Sequence, residues 1–551
     1  MADFRRDPAQ PMTEFERQAY DYARQWATGF SRRDLLKAFG AAGALTMFGR
    51  PGSVLAAPSR LPRPQAAGTL RIARGQLTDS LDPQKTALLV AHEIMWQIYD
   101  SLIYLDEKGT VHPGLATEWS FSADNLTVTY TLRPDVKFHD GTPFDATIVK
   151  GTVERHLDKA TASPTSYMLG PIAGVEVIDP MTVAYNYSEP FVPMFVGLGY
   201  SYCAPISIPA VEKFGDQFGR NPVGTGPYKF VEWSADDTIV LEANAEHGWA
   251  TTFYATQQPP AIGRVEFRVI PEDATRLAAL ESGEVDVVAG TDAVPIDKIR
   301  TLSETPGVSV YTRDAVGVYY SYLNQTIKPM DDLRVRQAIN HAVDKDKLIQ
   351  LVLDGYGKPA TSVLASAFGD YNPDVVTYPY DPEKAAALMK EAGVESGFET
   401  TYLNISTPVY QRAAESIQED LSKINIKLTI ESYPVAEWVP KGQGNTYGIQ
   451  FFYYTYSDPD VLFLVLGDGQ AFSWSHQTDS ELNEWLTAQR VEFDREKRKE
   501  LLFKAQARMN EQALVLLLWE GVYAAAMREN VQNLAIDLVG FIHLQEMSVA
   551  T

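Results

Sequence analysis

Apolar positions along the chain recur with two periods, and the period switches repeatedly between them. From 68 to 73 apolar and polar residues alternate as in a strand, and 126–132 (Leu126-Thr-Val-Thr-Tyr-Thr-Leu132) repeats that alternation. Between them, 91–105 carries an apolar stripe at helical spacing and predicts one helix. Asp145 predicts the cap of a helix running to about 159, and 174–187 predicts a hairpin turning at Asp179-Pro180-Met181-Thr182. A helix over 273–282 should stop at Gly283 and lead into a strand at 285–288. Asp381 followed by Pro382, with Gly393 beyond the far end, frames another helix. Thr478-Asp479-Ser480-Glu481 has the spacing of a capping box, and 425–432 and 449–456 read as strands between helices. Strands and helices alternate to the end of the chain without internal repeats, which predicts an α/β or α+β architecture in several lobes.

The first sixty residues break this pattern. Arg32-Arg33 precedes a short run of small and apolar residues (38–48), and small residues follow at 54–57. A charged stretch, a short apolar stretch and a small-residue cleavage site make an export leader, with Arg32 and Arg33 as a twin-arginine-type signal. Residues 1–57 are expected to be that leader and 58–67 a proline-containing linker. No apolar run is long enough for a permanent membrane span.

Composition narrows the function. The chain of 551 residues holds 48 Lys+Arg against 71 Asp+Glu, a formal charge of -23. The leader itself is slightly basic, so the acidity belongs to the body, and an acidic body repels phosphate backbones: nucleic acid is not the expected partner. Cys203 is the only cysteine. It excludes an internal disulfide and a multi-cysteine metal site, and it lies far from the leader, so no lipid anchor is expected. Beside Tyr202, Cys203 reads as a buried small residue rather than a nucleophile.

Catalytic signatures are missing from the sequence. There is no nucleophile elbow, no phosphate-binding loop and no zincin motif, since His92-Glu93 lacks its second histidine. Paired carboxylates leave no local signature, so an exported hydrolase using Asp292 and Asp458 stays open as an alternative. The prominent feature is Phe451-Phe452-Tyr453-Tyr454-Thr455-Tyr456-Ser457-Asp458-Pro459, an aromatic strand entering an acidic turn. Alternate residues of a strand face opposite ways, so both faces are aromatic: one suits a core, the other a ligand-binding wall.

Four stretches carry a family resemblance: 113–119 with 132–141, Asn221-Pro-Val-Gly-Thr-Gly-Pro-Tyr228, 332–344, and Tyr380-Asp-Pro-Glu-Lys-Ala385. In this order they resemble the bacterial extracytoplasmic solute-binding proteins of family 5, the dipeptide, oligopeptide and nickel type. The resemblance implies a periplasmic-binding-protein type II-like α/β fold, two main lobes around a ligand cleft plus an extra lobe. Lobe I would comprise 68–100, 225–315 and 515–551, the extra lobe 101–224, and lobe II 316–514. The crossings near 311–313 and 514–519 would form the hinge. It implies a monomeric periplasmic receptor, not an enzyme, with no cofactor; no histidine falls in the contact stretches, so no metal ligands are expected, and a metal chelate gripped by other groups stays open. That receptor would capture a small organic ligand and hand it to the permease subunits of an ABC importer, meeting the membrane only through the importer or an uncleaved leader. A sensing module without a transporter is a further alternative. Ligand contacts implied by position are Leu88, Leu89, Tyr167, Thr291, Asp292, Phe452, Tyr453, Tyr454, Thr455, Tyr456 and Asp458. The chain departs from the peptide binders at two anchors. Thr455 stands where they carry an aspartate for the ligand's amino group, and the insertion bearing their carboxylate-binding arginine is missing around Arg412, which reads as a helix residue. These departures favour a modified peptide, an opine or a sugar.

Overall fold

The computed structural model describes residues 67–551 apart from 107–109, 236, 250, 253, 255–257, 291–292, 455–457, 538 and 551. The leader with Arg32 and Arg33 lies outside the described residues. Most of the strands form one eleven-stranded mixed sheet. Two long strands, Val308–Leu323 and Val515–Arg528, run antiparallel through its middle and belong to both of its halves. On one side the order continues through Val287–Val288, Ala67–Arg74, Ile262–Val269, Ile239–Ala243 and Tyr228–Trp233; on the other through Ile449–Tyr454, Phe398–Ile405 and Ile426–Tyr433. Of the α/β and α+β classes left open by the alternating periods, the mixed α/β sheet implied by the resemblance is the observed one.

The register of the two crossing strands breaks in their middle. Asp314 pairs with Val522 and Val318 pairs with Glu520, so three residues of one strand oppose the single Gly521 of the other. Such a bulge bends and twists a ladder locally, and here it separates the half-sheets.

A second, four-stranded antiparallel sheet carries the order Ala116–Phe121, Thr127–Leu132, Thr182–Tyr187, Ile172–Asp179. The hairpin turns where the sequence predicts, and Asp145 caps Ala146–Leu157 by accepting from the amides of Thr147 and Ile148.

Two local expectations are corrected. The helix predicted over 91–105 spans Leu89–Ile98, and Ile103–Leu105 is a strand. Gly226 takes the Ile98 carbonyl as acceptor at 2.8 Å, and a Cβ on Gly224 would lie 2.1 Å from that same oxygen. Beside it Asp100, fully buried, accepts from Tyr104, Thr225, His247 and Trp249. A tertiary strap therefore ends the helix although its apolar stripe continues. The second correction concerns 480–488: Asp479, not Thr478, is the cap, accepting from the amides of Glu481 and Leu482 and also from Arg508 at 2.6 Å. A carboxylate that binds helix amides and a guanidinium at once outcompetes a neutral hydroxyl.

Candidate functional site

Strand direction locates the site. In the first half-sheet Ala67–Arg74 runs parallel to Val287–Val288, which is antiparallel to Val515–Arg528 and so parallel to Val308–Leu323. The chain leaves this half at Asp314, so the carboxyl ends of its parallel strands point to the bend. In the second half Val318 pairs antiparallel with Tyr454, the last residue of the aromatic strand. That strand is parallel to Phe398–Ile405, which is parallel to Ile426–Tyr433, so these carboxyl ends point to the bend as well. Open α/β sheets bind ligands outside the carboxyl ends of their strands. Here two such edges meet across one bend.

The first edge is built from the loop after Ala67–Arg74 and the start of helix Leu89–Ile98. Leu88 and Leu89 are both buried, and the Leu88 carbonyl accepts from the Tyr202 hydroxyl at 2.9 Å. Behind them lies an ion pair shut off from water, Arg74 to Glu93 at 2.5 Å. Burial pushes the Arg74 guanidinium down and the Glu93 carboxyl up, each against the pull of its partner. A Cβ on Gly290 would sit 2.9 Å from the Glu93 carboxylate, so the chain passes tightly over this pair on its way to 291–292. Thr291 and Asp292 themselves lie outside the described residues, as do Thr455 and Tyr456.

The second edge is the aromatic strand Ile449–Tyr454, and its two faces differ. Phe452 and Tyr454 point to a closed side. The Phe452 ring lies 5.2 Å from Tyr322, 5.2 Å from Trp474 and 5.6 Å from Trp438, with no exposed surface. Tyr454 is 1% exposed and its hydroxyl donates to the Val363 carbonyl. Phe451 and Tyr453 point to the opposite side. Tyr453 stacks on Tyr319 at 5.2 Å, Tyr319 on Trp519 at 4.9 Å, and Tyr410 closes on Phe451 at 4.6 Å. Tyr319 and Tyr410 are only half-buried, so this second face is the one that reaches the surface. Tyr410 stands in the first turn of helix Pro408–Ser422, where the Thr407 side chain accepts from its amide. Arg412, in the same helix, is exposed.

Beyond the strand, Asp458 is committed inward. It has no exposed surface, accepts from Arg498 at 2.6 Å and receives the Asp460 amide at 2.6 Å. On the four-stranded lobe Tyr167 is half-buried in the turn Ser166–Leu169, and burial pushes its hydroxyl up to about 12. Of the contacts named from sequence, then, Tyr453 is itself buried but stacks directly beneath half-buried Tyr319, and Tyr167 is half-buried. Phe452, Tyr454 and Asp458 are drawn into packing and hydrogen bonds of the protein itself. Tyr319, Tyr410 and Trp519 were not among the sequence candidates. For Tyr319 the signal is the aromatic run Val318-Tyr-Tyr-Ser-Tyr322, which lies beside 449–454 once the two strands pair; Tyr410 and Trp519 lie in other elements and carry no such local mark.

Residues 110–475 match the family described as bacterial extracellular solute-binding proteins, family 5. The chain belongs to this family. It is 31% identical over 414 residues to the glutathione-binding protein GsiB of Salmonella paratyphi A, covering 74% of this chain and 78% of that one. Among solved structures it superposes on HbpA2 from Haemophilus parasuis with a TM-score of 0.80 at 25% identity, over 88% of this chain and all of the other. It superposes on the periplasmic binding protein DppA from Helicobacter pylori, solved with the peptide STSA, with a TM-score of 0.71 at 26% identity, over 88% of this chain and 98% of the other.

Family 5 proteins bind solutes without transforming them, and the chemistry of this chain agrees. The Asp458 carboxylate, one half of the candidate hydrolytic pair, is occupied by Arg498. A serine–histidine contact does occur, between Ser201 and His92, but neither residue is accessible. The His92 ring is stacked against Tyr200 and Tyr202, and burial pushes its pKa down to about 3, so it is a poor base for any incoming substrate. Among the described residues no group of three or more His, Cys, Asp or Glu side chains is placed to hold a metal ion.

Proposed function

We propose that this family 5 protein is the exported receptor of an ABC importer, and that it captures a peptide-like solute between the two strand edges that meet at the bend. The observation that carries this reading is the stacked wall Tyr453–Tyr319–Trp519 with Tyr410 at its rim. Rings flank the planes of peptide bonds, and tyrosine hydroxyls exchange hydrogen bonds with amides. Tyr167, Thr291, Asp292, Thr455 and Tyr456 complete the contacts, with Leu88 and Leu89 lining the first edge. Phe452, Tyr454 and Asp458 hold that wall in place from behind. The hinge is the bulge at 315–317 opposite Gly521, between lobes with the boundaries inferred from sequence. The twin-arginine-type leader, Arg32 and Arg33 included, directs the folded monomer to the periplasm.

Ligand class follows from what surrounds the wall. Thr455 replaces the carboxylate expected opposite a free amino group, and Asp458 is already paired. A buried ammonium with no partner costs several kcal/mol, so a small peptide bound through its amides and side chains suits the site better than one held by its terminal amine. The similarity to glutathione-binding and peptide-binding relatives points the same way. Native mass spectrometry of the purified chain, followed by calorimetric titration with glutathione, di- and tripeptides, opines and sugars, tests this. The expected result is a peptide-like compound recovered chemically unchanged. Binding confined to sugars would overturn the ligand class, and conversion of the compound would overturn the receptor reading.

A further inference from the structure

A further contact joins the four-stranded lobe to the second half of the large sheet. The Val192 amide donates to the Arg490 carbonyl at 2.8 Å. The Arg490 guanidinium lies over two rings, Phe463 of its own half at 4.2 Å and Phe191 of the small lobe at 5.4 Å. Phe121 of the small lobe meets Phe493 edge-on at 4.9 Å. Arg490 is held from behind by Asp460, which is nearly inaccessible, at 3.0 Å. Asp460 also accepts from Gln489 at 2.7 Å, and Gln489 accepts from Arg498, the partner of Asp458.

Each side of this contact leads back to a wall of the candidate site. In the second half Asp458 and Asp460, which follow the aromatic strand in sequence, lead through Arg498 and Gln489 to Arg490. From the small lobe it runs from the turn Ser166–Leu169, which carries Tyr167, to Gly170 and Phe191. Gly170 has φ +72°, and a Cβ there would lie 2.2 Å from the Phe191 ring, so that ring occupies the space the missing side chain leaves. A charge held over a ring in partly desolvated surroundings is attracted to it and so favours the arrangement in which the two meet.

We infer that Arg490 is a positioning residue for solute capture: fixed by Asp460, it holds the small lobe against the second half-sheet and so stabilises the closed arrangement of the site. Arg490 touches no ligand in this account. It acts through Phe191, Val192 and the turn at 458–460, and the account does not depend on the ligand being a peptide.

The test uses the full chain without ligand. Spin labels at Ile178→Cys and Val376→Cys, exposed positions on the small lobe and the second half, report the distance between them, while Cys203 is buried. Hydrogen exchange reports the Val192 amide. Arg490→Ala and, from the opposite surface, Phe191→Ala should each lengthen and broaden the distance distribution and speed Val192 exchange by about ten-fold or more, a loss of roughly 1.4 kcal/mol of local stability. Arg490→Lys, which keeps the charge near Asp460, should restore most of the narrow distribution. The double variant should do little more than either single one, because both remove the same contact. Unchanged distances in folded single variants, or full additivity, would overturn the inference. If Arg490→Ala does not fold, Phe191→Ala and Arg490→Lys decide it alone: a shift in the first that is smaller or absent in the second supports it, and no shift in the first sinks it. The ligand titrations are separate, so either reading can fail without the other.

Discussion

Asp458 and Arg498 meet at 2.6 Å with both groups out of water, and this pair explains why the acidic turn is a poor place to look for a free carboxylate. Removing one partner of a buried pair leaves the other charge uncompensated, at a cost of about 3–5 kcal/mol. Asp458→Asn keeps the volume and one acceptor, so the loss should fall near the lower end, read as a lowered urea midpoint with an unchanged slope. Tyr410→Ala should behave oppositely: this half-buried ring at the rim contributes less to folding, and its loss should weaken binding of the identified ligand about ten-fold in calorimetry while the urea midpoint moves little. The aromatic density of 451–456 was legible in the sequence. Which alternate set, Phe452 and Tyr454 or Phe451 and Tyr453, packs beside the half-buried rings of Tyr319 and Tyr410 was not, because both are aromatic, both are buried, and the period of two is blind to which layer lies on which side.

Helix ends show the same division between local and tertiary signals. Asp145, Asp381 and the stop at Gly283 act on their own backbone neighbours, and the structure has them as the sequence suggests. The helix beginning at 480 differs because its cap is chosen by a partner 29 residues away, Arg508. Asp479→Ala should therefore cost about 1–2 kcal/mol in chemical denaturation, while Thr478→Ala, at an exposed position, should stay within about 0.5 kcal/mol. The early end of helix Leu89–Ile98 has a similar origin. Gly224 and Gly226 come from more than a hundred residues downstream, and no window around 98 contains them.

For the whole molecule, burial of titratable groups sets the response to acid. Burial pushes His92 down to about 3, and pushes His156 down to about 3 with help from the neighbouring Arg155 charge. Both bind protons in the unfolded chain below the ordinary value near 6.5, while the folded chain refuses them. Their contribution to stability is therefore complete above that value and is lost as pH falls toward 3, at up to about 1.4 kcal/mol per pH unit for each histidine. Unfolding free energies measured between pH 7 and 5.5 should decline accordingly, and replacing His156 by Gln should flatten the decline. By itself the sequence determined the alternation of strands and helices, most caps and turns, and family membership, because these rest on neighbours along the chain or on short contiguous stretches. Only the tertiary structure decided where the helix after Ala67–Arg74 ends, which face of the aromatic strand packs beneath half-buried rings, and which charges are already spent on each other. Each of those outcomes depends on a partner brought close by chain reversal through the bend or across lobes, and such a partner leaves no mark at the residue it controls.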